Sequence, residues 1–158
     1  MLSTGGNPVV TNCTFIGNTA GGTGGGGIRN WGGTHVTVTN CIFWSNTPDQ
    51  IKDSPDSMST VEYSDIQGGW SGMGNINADP CFVDVVAGDL RLWSSASPCV
   101  DMGYNYAPIL PDTDMGGRPR VVDGDIDGSV ITDMGAFELV EATNKAQGSV
   151  YAMIQTAI

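Results

Sequence analysis

Basic side chains are scarce in this 158-residue chain: Lys and Arg number 6 against 17 Asp and Glu, and His35 is the single histidine. The resulting formal net charge of −11 repels phosphate backbones, which argues against nucleic-acid binding and against polyanionic substrates unless a divalent cation bridges them. Acids are themselves absent before Asp49, so residues 49–158 hold all 17 acids with 5 bases, a net of −12. Leucine is rare, 5 residues against 25 Val plus Ile, a β-branched bias that disfavours a helical bundle. No apolar run approaches the ~18 residues of a membrane-spanning helix. The stretch Met1–Gly6 lacks the basic and apolar regions of a signal peptide. One histidine and no Cys-x-x-Cys spacing leave little for zinc. Hydrophobic content of 40% with 15% charge excludes intrinsic disorder, so the expectation is one all-β domain rich in turns.

What the chain does have is a repeat. Residues 10–19 (VTNCTFIGNT) and 38–47 (VTNCIFWSNT) agree at seven of ten positions, 28 apart, and Val61–Ile66 is a weaker copy 23 residues further on. Val36 and Val38 alternate as a strand does, yet inward pointing resumes at Cys41 and Phe43, one residue out of phase. Asn40, and Asn12 in the first copy, tolerate the left-handed conformation that makes such a bend. Two short strands joined by a one-residue bend, with a looser return, describe one coil of a parallel β-helix. Stacking would set Asn12 over Asn40, Cys13 over Cys41 and Phe15 over Phe43, about 4.8 Å apart. The Gly21–Gly27 run is expected to be a flexible return loop. A sandwich of hairpins would need tight Asn-Gly or Asp-Gly turns, which the first 70 residues lack.

Phe15-Ile16-Gly17-Asn18 followed by Gly25-Gly26-Gly27-Ile28 resembles the FxxN…GGxI repeat of bacterial polymorphic outer-membrane-type β-helix proteins. Asn75–Val83, Gly88–Leu92, Ser97–Gly103, Gly117–Arg120 and Asp133–Glu138 resemble, in that order, segments of secreted pectate-lyase-like proteins with a choice-of-anchor-Q-type C-terminal region. The resemblance implies a right-handed single-stranded parallel β-helix, a short solenoid of few coils, in an extracellular or cell-surface setting. It implies no particular activity, because the fold hosts lyases, hydrolases, adhesins and inert stalks. The expected division is coils over residues 7–75, an irregular cap over 76–138, and a tail over 139–158. In that tail Val140, Ala146, Val150, Ile154 and Ala157 recur at helical spacing. An uncapped solenoid edge, or the tail, is expected to mediate self-association.

Four sets of residues could carry chemistry. Cys13 and Cys41 should stack as buried free thiols, whereas a disulfide between Cys81 and Cys99 would close a loop of about 19 residues, contribute roughly 3 kcal/mol and suit the secreted setting. The run Asp123-Gly-Asp125-Ile-Asp127-Gly128 matches the first half of a calcium loop, with Asp133 standing nearest to the final ligand position. Calcium at Asp123, Asp125, Asp127 and Asp133 competes there with a solvated acidic turn paired to Arg118 and Arg120. Asp49, Asp53, Glu62 and Asp65 cluster along the second and third coils, where two carboxyls across a glycosidic bond could act; acidic surface turns are the plainer reading. Trp31, Trp44 and Trp70, with Trp93, could stack on sugar rings or pack loops, and Trp44, following an inward Phe43, should face outward. Two functions follow: a non-catalytic, carbohydrate-associated or adhesive module, or a small polysaccharide hydrolase or lyase. A polysaccharide or cell-surface glycan is the expected partner of either.

Overall fold

A computed structural model describes residues 1–22, 24–140, 142–144 and 149–151. Nine short strands occupy the first half: β1 (Leu2–Ser3), β2 (Val9–Thr11), β3 (Thr14–Ile16), β4 (Gly25–Asn30), β5 (His35–Thr39), β6 (Ile42–Trp44), β7 (Asp49–Asp53), β8 (Met58–Glu62) and β9 (Asp65–Ile66). They form three parallel three-stranded sheets, ordered β1-β4-β7, β2-β5-β8 and β3-β6-β9, so each sheet takes every third strand. Two antiparallel pairs follow, β10 (Phe82–Asp84) with β11 (Asp89–Leu92), and β12 (Ala142–Asn144) with β13 (Ser149–Tyr151). The described residues contain no helix and no closed barrel.

The repeat sets the register. Val10 pairs with Val38 and Val38 with Val61, while Phe15 pairs with Phe43 and Phe43 with Ile66. The bends fall where the apolar phase slips: Asn12 and Asn40 have φ of 49° and 55°. Tyr63 makes the third bend at φ 48°, although it lacks the short amide that suits Asn to this conformation. Asn40 Nδ2 donates to Asn12 Oδ1 at 3.2 Å, and the Phe15 and Phe43 rings stack at 4.6 Å. Asn18 and Asn46 form a second ladder, with Asn18 Nδ2 donating to Asn46 Oδ1 at 2.8 Å. Val36, Val38, Cys41, Phe43, Val61 and Ile66 are all buried in one cluster between the sheets.

The glycine run departs from the expected loop. Gly25–Gly27 begin β4 and are buried. A Cβ on Gly26 would stand 2.6 Å from Asn18 O and Thr47 N, and one on Gly27 2.8 Å from Phe43 Cδ1. These glycines let neighbouring backbone and the central ring approach; flexibility is not their role. In the first sheet β1 pairs with β4, Leu2 opposite Arg29, so the two-residue β1 is itself an edge strand.

Residues 78–140 are mostly turns, and part of them lies on the outer side of the third sheet. Ile42 points away from the first cluster into a second one, with Leu92, Cys99, Val100 and Met134. Gly135, at φ 95°, sits so close that a Cβ would come within 2.7 Å of Ile42 Cδ1. The polar seam includes Gly135 N donating to Asn40 O (2.8 Å), Asn12 Nδ2 to Asp133 O (3.0 Å) and Ala136 N to Thr14 Oγ1 (3.0 Å). The tail is not helical where it is described: β12 and β13 pair antiparallel, with Thr143 and Val150 partners in the register. Residues 141, 145–148 and 152–158 of the helix expected there lie outside the described residues.

Candidate functional site

The four carboxylates suggested for catalysis do not converge. Asp49 and Asp53 lie on β7 in the first sheet, Glu62 ends β8 in the second, and Asp65 begins β9 in the third. Asp49 meets Lys52 Nζ at 3.4 Å, and Asp53 accepts from Ser59 N at 2.8 Å and Ser59 Oγ at 2.6 Å. Glu62 is exposed. Asp65 is fully buried, accepting from Ala78 N at 3.2 Å and Cys99 Sγ at 3.4 Å. Burial pushes its carboxyl up to about 6. Asp49, Asp53 and Asp65 each have a local structural partner, and the four acids are spread over three sheets.

The tryptophans divide in the same way. Trp44 does leave the first cluster as its position after Phe43 requires, yet it is half-buried against the second cluster. Trp70 packs against the first cluster. Trp31 remains 51% exposed and Trp93 67%. Trp31 follows β4, and with Arg29, Lys52, Asp53, Ser54 and Pro55 it lines a shallow groove of about 150 Å³. The Arg29 guanidinium stands 5.0 Å from the Trp31 ring centroid. Arg29 and Lys52 are paired neighbours across β4 and β7, so two cations project side by side from a chain of net charge −11. Like charges in that relation repel. The Asp49 carboxylate offsets one, and the π-face of Trp31 shields the other.

The acidic loop is also rearranged. Asp133 is buried and turned inward, accepting from Asp101 N at 2.8 Å and Leu139 N at 2.6 Å. Asp127 Oδ1 accepts from Ser129 N at 2.7 Å. Asp123 and Asp125 instead share a cluster with Asp101. The expected arginine partners are engaged elsewhere. Arg120, 3% exposed, donates to Glu138 Oε1 at 2.8 Å, Gly135 O at 3.1 Å and Ala136 O at 2.9 Å. Arg118 Nη1 donates to Glu138 O at 3.0 Å. Burial, then the neighbouring negative charge of Glu138, holds the Asp133 carboxyl well above its usual range. Burial also raises Glu138, against the opposing pull of Arg120.

All four cysteines are free thiols. Cys13 and Cys41 stack, with Cys13 N donating to Cys41 Sγ at 3.4 Å, but only Cys41 is buried as expected; Cys13 is half-buried. The Cys81–Cys99 bridge is absent: the buried Cys99 thiol is turned toward Asp65, while exposed Cys81 donates to Asp79 O at 3.3 Å. Ser97 Oγ, donating to Pro80 O at 2.7 Å, joins the two segments instead.

Two features escaped the sequence. The Arg29–Lys52 neighbourhood was accessible in principle, since these residues are 23 apart, the same step that separates Val38 from Val61. Asp101 carries no local signal, because it joins Asp123 and Asp125 only through tertiary folding. No protein-family model, curated protein or solved structure matches the chain.

Proposed function

We propose that the chain is part of a right-handed parallel β-helix and serves as a non-catalytic, glycan-associated module of a secreted or cell-surface protein. Support for the solenoid comes from the every-third-strand order of three parallel sheets and the in-register stacking of the repeat. Dispersal of Asp49, Asp53, Glu62 and Asp65 over three sheets favours binding over hydrolysis. The observation that carries the binding assignment is the outward Arg29–Lys52 pair beside the open ring of Trp31. A sugar ring can stack on the exposed indole while a single carboxylate or sulfate meets Arg29 and Lys52; the net charge of −11 repels a continuous polyanion, so the site selects glycans with isolated acidic groups. A groove this shallow fits one or two sugar residues of a longer chain.

The test is retention of the whole chain on immobilised neutral, uronate-containing and sulfated polysaccharides, with released ends assayed in parallel. Retention should favour the sparsely charged uronate-containing polymer over the neutral and the densely sulfated ones, and fall about tenfold in both Trp31→Ala and Arg29→Gln, a loss of about 1.4 kcal/mol. Equal retention by the variants would remove the groove as the site. Release of new reducing or unsaturated ends would replace the binding module with an enzyme.

A further inference from the structure

Asp101 closes the turn that follows Cys99. Its backbone N–H is held by Asp133, but its carboxylate is left without support: both oxygens are shut off from solvent and neither accepts a hydrogen bond. The nearby amides of Gly124 and Asp125 pull its carboxyl down, while the Asp125 carboxyl beside it pushes it up. An unpartnered buried carboxylate is among the costlier groups a fold can carry. Its neighbours worsen that cost. One oxygen from each of Asp101, Asp123 and Asp125 lies within 4.8 Å of the other two. Burial first, then the charge of Asp125, pushes the Asp101 carboxyl up to about 6.

No described cation relieves the cluster. Lys52 pairs with Asp49, Arg91 with Asp89 and Arg120 with Glu138, while Arg118 reaches Glu138 O and Arg29 lies by Trp31. The loop cannot easily withdraw either. A Cβ on Gly124 would come 2.8 Å from Leu139 O, so the backbone between Asp123 and Asp125 is pressed against the body of the protein. Three acids are thus held together with the polar end of one of them buried and aimed at the other two.

We propose that Asp101, Asp123 and Asp125 form a calcium site. Three carboxylate oxygens with no nitrogen or sulfur donor are a hard ligand set, suited to calcium or magnesium and poorly suited to zinc or copper. Oxygens at this spacing fit around an ion with bonds of about 2.3–2.6 Å, and an irregular turn accommodates calcium's variable coordination better than magnesium's strict octahedron. Water and backbone carbonyls would complete the shell. The ion joins the Asp101 turn to the 123–128 loop. Asp127 and Asp133, which the spacing of the motif also nominates, are not ligands: one caps Ser129 and the other faces inward.

The whole chain, stripped with chelator, should bind added calcium in titration calorimetry and melt about 5 °C higher at 1 mM calcium. Magnesium at the same concentration should give less than half that shift. Asp101→Asn and Asp125→Asn should each abolish the calcium shift, and the half-buried Asp125, on a loop outside the buried clusters, keeps the test open if Asp101→Asn does not fold. Asp127→Asn should retain it. The proposal is overturned by a native chain that shows neither heat nor a shift with calcium. It is equally overturned by a shift that survives in Asp101→Asn, or by one that Asp127→Asn also loses.

Discussion

Residues 1–77 and residues 78–140 fill their interiors with different chemistry. Between the stacked sheets the buried side chains are Val, Ile, Phe and Cys, and the buried polar groups there are mainly neutral Asn, Ser and Thr in ladders. In the second half Arg120, Glu138, Asp133 and Asp114 are all buried beside Met134 and Cys99. A stack repeats its environment at each row, so identical uncharged residues satisfy one another through ladders such as Asn12–Asn40. A region of turns offers no such repetition. Its buried backbone groups need individual partners, and the carboxylates of Asp114, Asp133 and Glu138 accept the amides of Glu138, Leu139 and Asp133 respectively. Asp65 stands on the border, a charged member of the stack turned toward Cys99.

The largest test of that contrast sets Phe43→Ala against Arg120→Met. Each should cost about 3–5 kcal/mol in urea unfolding, the first by opening a cavity and the second by stranding buried Glu138. The double change Arg120→Met with Glu138→Gln should recover part of the loss, because an amide oxygen still accepts from Asp133 N and Thr132 Oγ1 without a buried charge, whereas no single partner substitution rescues Phe43→Ala. A double variant as unstable as Arg120→Met would mean that the ion pair is not the unit holding the second half together.

Next in size is pH. Asp65, Asp133 and Glu138 all have raised pKa values in the folded state, so the native protein binds more protons than the unfolded chain. Their contribution is complete below the ordinary carboxylate range and is lost as pH rises through the folded values, about 6 for Asp65 and higher for Asp133. In chelator, unfolding free energy should fall by about 2 kcal/mol between pH 4.5 and 7.5 from Asp65 alone. Asp65→Asn should remove that share of the slope and leave the share of Asp133 and Glu138; an unchanged slope would show that Asp65 is charged throughout. The smallest effect is expected at the seam. Gly135→Ala should cost about 2 kcal/mol, from its left-handed backbone and the clash with Ile42, and should be partly offset by Ile42→Val.

Much of the first half was legible. The offsets of 28 and 23 predict the register, and the slipped apolar phase predicts the bends at Asn12 and Asn40, because both are consequences of local spacing. The glycines of β4 were misjudged because their cause is what packs against them, Phe43 and the 47–50 backbone, and nothing in the run itself reveals that. The carboxylates suggested for catalysis are close in sequence yet belong to different sheets, since neighbours along a stacked chain turn a corner every few residues.

The acidic cluster shows the same limit from the other side. Asp123 and Asp125 are visible as a motif, but their third partner comes from 22 residues upstream of Asp123 and replaces the two acids nearest in sequence. By itself the sequence determined the β character, the repeat, its register and the distribution of charge, all of which depend on residue type and short-range periodicity. Only the tertiary structure decided which acids meet, which tryptophans stay open and where the arginines are spent. Those outcomes depend on how an irregular segment, with no period of its own, lies against the sheets.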